Sequence, residues 1–140
     1  MTKARNAVKS LLDGAEKPLS ALELAERVGG LCDPATIYRS LHYLEDSGWA
    51  ESFVLHCSAH GTERYYVSRE ASHRHWFHCE RCHSFVDLGA CRIGPLLQAM
   101  ESEAGVEIRH HALYATGLCK ACSQDAAKGD SFQDVAKDPN

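Results

Sequence analysis

The sequence lacks several features that would assign it to a common class of protein at once. No apolar run in its 140 residues approaches the length of a membrane span, and no apolar signal-peptide segment follows the first residues. We therefore expect a cytoplasmic protein with no membrane partner. Basic residues are not in excess either, since 15 Lys and Arg stand against 19 Asp and Glu. Any nucleic-acid interface must therefore be local, built from a few well-placed side chains.

Cysteine is plentiful by contrast, with seven residues, and a reducing compartment favours metal binding over disulfides for them. Two Cys-x-x-Cys pairs, Cys79 with Cys82 and Cys119 with Cys122, are separated by 36 residues. Each pair can bind one ion from a tight turn, and two pairs complete a tetrahedral four-thiolate zinc site. The spacing predicts one structural zinc ion per chain. The alternatives are two disulfides or four unrelated thiols.

The first half of the chain has helical periodicity followed by strand-like alternation. Helices are predicted over residues 2–13, 20–28 and 34–47, and strands over residues 51–55 and 64–67. Ser20 begins a capping box, Asp33 suits the N-cap of the third helix, and Leu22 is expected to face inward. Three short helices and a hairpin form the outline of a winged helix-turn-helix domain, whose third helix enters a DNA major groove. A generic three-helix core with a hairpin fits this local pattern equally well.

The second half predicts a small mixed unit around the cysteine pairs. Strands are expected over residues 73–78, 84–88 and 106–118, with a helix over residues 95–103. A unit this small has open sheet edges and buries little surface, so we expect a homodimer. The fold class is α+β, with three segments: a winged-helix domain at 1–70, an α/β dimerisation and metal-binding domain at 71–122, and a disordered tail at 123–140.

Several motifs, in this order, resemble the Fur family of metal-responsive bacterial repressors over roughly residues 5 to 122. They are Asp-Pro-Ala-Thr-Ile-Tyr-Arg-Ser-Leu at 33–41, His73-x-His75, His111-x-x-Tyr114 and the two cysteine pairs. The resemblance implies a dimeric repressor of palindromic double-stranded DNA operators, in which a bound metal sets the angle between two DNA-binding heads. It also implies that Thr36, Tyr38 and Arg39 contact DNA. An aromatic face can contact thymine methyls, and a guanidinium can bind guanine or a phosphate.

The resemblance further implies a regulatory site for a second divalent metal ion. In ungapped register from Cys79, the residues His73, His75 and His111 fall on family ligand positions in the dimerisation domain. With a one-residue bulge, His73 and His75 match the hinge ligands instead. Asp87 matches a further acidic ligand position.

Zinc-sensing members place a ligand near Glu51, and Cys57 lies in the adjacent loop with His56 and His60. A site that mixes sulfur with imidazole favours zinc over iron or manganese. The alternative for this loop is a solvated wing that binds nothing. The two remaining cysteines, Cys32 and Cys91, are expected to be buried small apolar residues.

The chain also departs from the family pattern. Most members have a short helix upstream of the segment that begins here, and Lys3, Arg5 and Lys9 are candidates to replace its backbone contacts. The hinge-site interpretation loses two ligands, because Pro18 replaces a histidine and Tyr66 replaces a carboxylate or thiolate.

A zinc enzyme is the competing class of function. Nucleobase deaminases need a His-x-Glu motif and a Pro-Cys-x-x-Cys motif around an open zinc. Here His78-x-Glu80 overlaps the first cysteine pair, no proline precedes either pair, and four thiolates leave no position for water. We therefore expect no enzyme and no small organic substrate. An iron- or peroxide-sensing family member and a zinc-stapled protein-interaction module without DNA binding remain as alternatives.

Overall fold

The computed structural model describes residues 1–70 and 72–126, which form an α+β fold with two three-stranded sheets. The elements up to residue 70 are α1 (Lys3–Gly14), β1 (Leu19–Ser20), α2 (Ala21–Val28), α3 (Pro34–Asp46), β2 (Ala50–Cys57) and β3 (Gly61–Ser68). The elements after residue 72 are β4 (Arg74–Cys79), β5 (Phe85–Ala90), α4 (Gly94–Ala104), β6 (Tyr114–Gly117) and α5 (Lys120–Ala126). None of the helices in these residues is both long and apolar enough to cross a membrane.

Side-chain caps explain where the first three helices begin. The Thr2 hydroxyl accepts a hydrogen bond from the backbone N–H of Arg5, and Ser20 accepts one from Glu23 in a complete capping box. A carboxylate oxygen of Asp33 accepts the N–H of Thr36 at 2.8 Å, and Pro34 occupies the first position of α3. These short-range signals explain why the predicted helix starts agree closely with the structure.

The first sheet has the order β1-β3-β2 and is antiparallel throughout. The two-residue strand β1 was not predicted. It pairs with β3 of the hairpin, and Leu19 lies opposite Tyr66. The three helices and this sheet enclose one apolar core: Val8, Leu12, Leu19, Ala21, Leu24, Ile37, Leu41, Leu44, Ala50 and Tyr66. The inward orientation predicted for Leu22 is wrong, because Leu24 takes the core position and Leu22 is 65% exposed.

The second sheet has the order β5-β4-β6, with β5 antiparallel and β6 parallel to β4. The long strand predicted over 106–118 is wrong, because only Tyr114–Gly117 is a strand. Gly105 ends α4 in the left-handed conformation at φ 68°, and residues 106–113 are irregular. This irregular segment has a topological reason. Because β6 is parallel to β4, the chain must return to the start of β4 before β6 can begin.

The segment after the second cysteine pair also differs from its prediction. Helix α5 extends through Ala126, so the disordered tail predicted from residue 123 is wrong over 123–126. Residues 127–140 of that predicted tail lie outside the described residues.

Aromatic side chains join the two sheets. Phe53 of β2 and Tyr65 of β3 contact Phe85 of β5, with ring centroids 6.3 and 5.0 Å apart. Phe53 also lies 6.2 Å from the ring of Tyr114. These contacts place the β2–β3 hairpin against the second sheet.

Candidate metal centres and nucleic-acid interface

The four cysteines of the Cys-x-x-Cys pairs meet at one end of the second sheet, and we call them the Cys centre. Parallel pairing aligns Cys79 of β4 with Gly117 of β6, so the turn after β4 lies beside the segment that carries Cys119. All four sulfur atoms lie within 4.8 Å of one another, and those of Cys82 and Cys119 are 3.7 Å apart. A tetrahedral four-thiolate zinc site has sulfur atoms about 3.8 Å apart. The arrangement fits a zinc ion.

The protonation of the Cys centre also suits a cation. Burial disfavours the Cys79 thiolate, but backbone N–H groups of Cys119, Cys82 and Arg81 outweigh it and lower the pKa of Cys79 to about 6. Burial and hydrogen bonds with the three neighbouring cysteines raise the pKa of Cys122 to about 12. Four thiolates therefore need a bound cation to coexist. All seven cysteines lie in the described residues and are free, so neither alternative disulfide forms.

A second cluster, which we call the His centre, comprises His73, His75, His111 and Cys91. Nε2 of His111 lies 2.8 Å from Nε2 of His73, 3.2 Å from Nε2 of His75 and 3.5 Å from Sγ of Cys91. In a tetrahedral zinc site two imidazole nitrogens are about 3.3 Å apart, and nitrogen and sulfur about 3.5 Å. The His centre therefore also fits a zinc ion.

In His73 and His75, the ring nitrogen that faces away from the cluster, Nδ1, has a hydrogen-bond partner, as is usual for histidines that bind a metal. His75, which is 7% exposed, has its Nδ1 3.0 Å from the backbone oxygen of Leu113. Nδ1 of His73 lies 2.9 Å from both carboxylate oxygens of Glu51. Such partners hold the proton on Nδ1 and direct the Nε2 lone pair at a metal. Burial, together with the neighbouring His73 and His75, lowers the pKa of His111, which favours its neutral, ligating form.

The sequence prediction missed Cys91, which is half-buried rather than a buried apolar residue; Cys32 is half-buried too. The Cys91 N–H donates to the His73 oxygen at 3.0 Å, so the end of β5 carries this thiol beside the start of β4. No motif spacing in the sequence predicts that Cys91 lies beside His73, because their contact arises from strand pairing. A search for a cysteine near the end of the strand facing His73-x-His75 could have found it.

The other residues predicted to bind the regulatory metal are not members of the His centre. Asp87 forms an ion pair with Arg74 on the second sheet. Glu51 contacts His73 from β2, outside the group of converging ligand atoms. Cys57 lies in a third group with His60 and His83, and His56 instead has its Nδ1 2.9 Å from the Thr62 hydroxyl.

The candidate nucleic-acid interface is the start of α3. Tyr38 is 57% exposed and Arg39 is also exposed, whereas Thr36 is half-buried. The Arg39 guanidinium donates to the Thr36 hydroxyl at 3.1 Å. Ile37, Leu41 and the rest of the buried stripe hold this exposed face outward.

Comparisons with known proteins agree with this architecture. The model of the ferric uptake regulator family matches residues 1–116. The zinc uptake regulation protein of Escherichia coli (strain K12) is 26% identical over 114 residues, which are 81% of this chain. The match spans 65% of that relative's length.

Solved structures of similar fold include the Helicobacter pylori ferric uptake regulator Fur, described as having three functional metal binding sites. It is 21% identical with a TM-score of 0.67, over 88% of this chain and 81% of that one. A zinc uptake regulator complexed with zinc and DNA is 24% identical with a TM-score of 0.63, over 90% of this chain and 85% of that one. At these identities the likeness concerns the fold.

Proposed function

The chain belongs to the ferric uptake regulator family, and from this premise we propose that it is a metal-dependent transcriptional repressor that binds operator DNA as a homodimer. Zinc is the metal it senses, in preference to iron or manganese. The observation that carries this proposal is the His centre, in which three imidazoles and one cysteine sulfur converge beside the winged-helix unit.

The ligand set of the His centre supports zinc. A thiolate is a soft ligand that suits zinc, whereas manganese prefers carboxylate and water oxygen. No carboxylate belongs to the group of converging ligand atoms in the described residues. The zinc uptake regulation protein of Escherichia coli, 26% identical, points the same way.

Glu51 gives the His centre a route to the DNA-binding half. It lies on β2 and is 2.9 Å from His73, so the first sheet contacts a metal ligand directly. A ligand shifts a conformational equilibrium only by its differential affinity for the two states. A metal that fixes His73 therefore favours the arrangement in which Glu51 is engaged, and so the spacing of the two heads in a dimer.

The Cys centre has a different role. It has four protein sulfur ligands and thus no position for a substrate or a sensed signal, so its zinc ion is structural. One such ion per chain joins the turn after β4 to the segment between β6 and α5.

Recognition of DNA falls to Tyr38 and Arg39, with Thr36 holding the Arg39 guanidinium. An exposed phenol ring and an exposed guanidinium can read thymine methyls and guanine in the major groove. The net charge of −4 means that this face and a few neighbours supply the attraction, rather than the whole surface.

The homodimer covers apolar surface on the second half of the chain. Helix α4 has no buried residue, and β5 is an edge strand of its sheet. The exposed large side chains there include Val86, Leu88, Leu96, Met100, Val106 and Leu113. A second copy is the simplest partner that covers such a face and protects the edge.

A selection from a random-sequence DNA duplex library tests the function. The zinc-loaded chain should enrich a palindromic sequence, and affinity for it should fall by at least about tenfold when the His centre is emptied while the Cys centre keeps its zinc. Cys91→Ser should mimic this loss, whereas Cys32→Ser, outside both centres, should not. Equal affinity with and without the second equivalent of zinc would refute metal sensing, and stronger binding with iron or manganese would refute the preference for zinc.

A further inference from the structure

We propose that Cys57, His60 and His83, which we call the wing clamp, form a third metal site that binds zinc. This site would link the wing, which is the β2–β3 hairpin at residues 50–68, to the turn of the Cys centre. This inference rests on the proposed function, because it adds a second sensing site to the same repressor. It involves none of the ligands of the Cys centre or the His centre.

The geometry of the wing clamp is that of a metal site. Sγ of Cys57 lies 3.3 Å from Nδ1 of His83 and 3.6 Å from Nδ1 of His60, and the three ligand atoms lie within 4.8 Å of one another. Tetrahedral zinc places nitrogen and sulfur ligands about 3.5 Å apart. Cys57 is 5% exposed while His60 is exposed, so the sulfur is shielded and an ion can enter from the His60 side.

Two unrelated turns bring the three ligands together. Cys57 ends β2 and pairs with Gly61, so the loop at residues 58–60 folds back and carries His60 over the sulfur. His83 directly follows Cys82 and adopts a left-handed φ of 62°. Few residues other than glycine adopt this conformation. The His83 N–H donates to the Cys79 oxygen at 3.0 Å, which fixes His83 to the turn of the Cys centre.

A neutral thiol could donate a hydrogen bond to one of these imidazoles and accept one from the other, but both hydrogen bonds would be weak. A thiol has one proton and is a weak hydrogen-bonding group, so it gives little reason for two imidazole nitrogens to converge on it. The rings of His60 and His83 also pack edge to face, 4.8 Å apart. One thiolate and two imidazoles are a ligand set that selects zinc over magnesium, calcium or manganese.

The wing clamp has a regulatory consequence because its ligands come from both halves of the chain. It forms only when the wing lies against the second sheet, as the aromatic contacts of Phe53 and Tyr65 with Phe85 hold it here. Zinc binding therefore stabilises that arrangement. Three protein ligands leave one tetrahedral position for water, so this ion exchanges more readily than the ion of the Cys centre.

Metal counting on the full-length chain tests the proposal. At saturating zinc, wild type should bind three zinc ions per chain, and His60→Ala and His83→Asn should each bind two. His60 is exposed, and asparagine tolerates the left-handed conformation, so both variants keep the fold. His56→Ala is the matched control on the same wing and should still bind three.

The DNA affinity of the same proteins separates this proposal from the proposed function. At saturating zinc, where the wing clamp of wild type is filled, His60→Ala should bind operator about tenfold more weakly than wild type, and His56→Ala should not. Two zinc ions in wild type, or three in both clamp variants, would overturn the wing clamp while zinc-dependent DNA binding through the His centre stands. DNA binding by wild type that ignores zinc would overturn the proposed function, even with three ions bound.

Discussion

The two halves of this chain are stabilised by different means. Residues 1–70 enclose a continuous core of buried aliphatic side chains, including Val8, Leu24 and Ile37, each 0% exposed. In residues 72–126 the buried apolar residues are only Trp76, Cys79 and Cys122.

The difference shows which forces remain for the second half. Apolar burial contributes about 25 cal/mol per Å² and is concentrated in the first half, whereas the second half has little of it within one chain. We expect metal ligation and a second copy to supply the rest. On the proposed function, the half that senses metal is therefore also the half that we expect to depend on metal for its fold.

The largest expected effect comes from removing one ligand of the Cys centre. Cys119→Ser should abolish tight zinc binding there and cost the second half on the order of 10 kcal/mol. Protease sites should open between residues 72 and 126 while residues 1–70 stay resistant, as followed by zinc content and limited proteolysis. A variant with wild-type zinc content and uniform resistance would show that the second half does not need the ion.

A core substitution in the first half should have the opposite pattern of effects. Leu41→Ala removes a side chain that is 0% exposed and should destabilise residues 1–70 by about 2–5 kcal/mol, with the zinc of the Cys centre retained. Leu22→Ala, on a helix face that is 65% exposed, should change the free energy of unfolding by less than about 0.5 kcal/mol. Chemical denaturation measures both, and equal costs would contradict the position of this core.

A smaller effect is expected at the DNA-binding face. Arg39→Ala should weaken operator binding by about 1–3 kcal/mol, because it removes the guanidinium that we propose contacts guanine or a phosphate. Zinc content and dimerisation, which belong to the other half, should not change. Arg109→Ala, an exposed arginine in the second half, serves as the control in the same gel-shift titration. Unchanged affinity would exclude Arg39 from the interface.

The smallest effect is a pH dependence confined to the second half. Burial, together with the charges of His83 and His60, lowers the pKa of His78, so the unfolded chain binds the proton more tightly than the folded one. Stability should therefore be full above the unfolded pKa of about 6.5 and decline as pH falls below it. Denaturation at pH 7.5 and 6.0, with the Cys centre loaded, measures this.

Two variants show whether His78 is responsible. His78→Phe keeps a ring against Phe85, 4.9 Å away, and should flatten the pH dependence. His42→Phe, on an exposed face of α3, should leave it unchanged. An unchanged slope in the His78 variant would assign the effect to other groups.

Short-range signals made much of the first half predictable. The caps at Ser20 and Asp33 are set within three residues, and so are the helix starts that they specify. Leu22 was misplaced because periodicity in a helix of eight residues leaves two faces open, and the packing against α3 and β3 decides between them. The strand β1 was missed because two residues carry no pattern of their own.

The second half was less predictable because its contacts are distant in sequence. The Cys centre was predictable despite this, because the repeated Cys-x-x-Cys spacing identifies the two ligands within each pair. Cys91 reaches His111 only through the pairing of β5 with β4 and the irregular return of residues 106–113. His83 meets Cys57 only through the docking of the wing, which no local pattern encodes.

Hydrogen exchange of the full-length chain before and after complete zinc removal tests the central contrast most directly. Amides of residues 72–126 should lose protection on chelation, while those around the core of α1, α2 and α3 keep theirs and the chain becomes monomeric. Retained protection in residues 72–126, with the dimer intact, would contradict the conclusion that metal ions hold this half together.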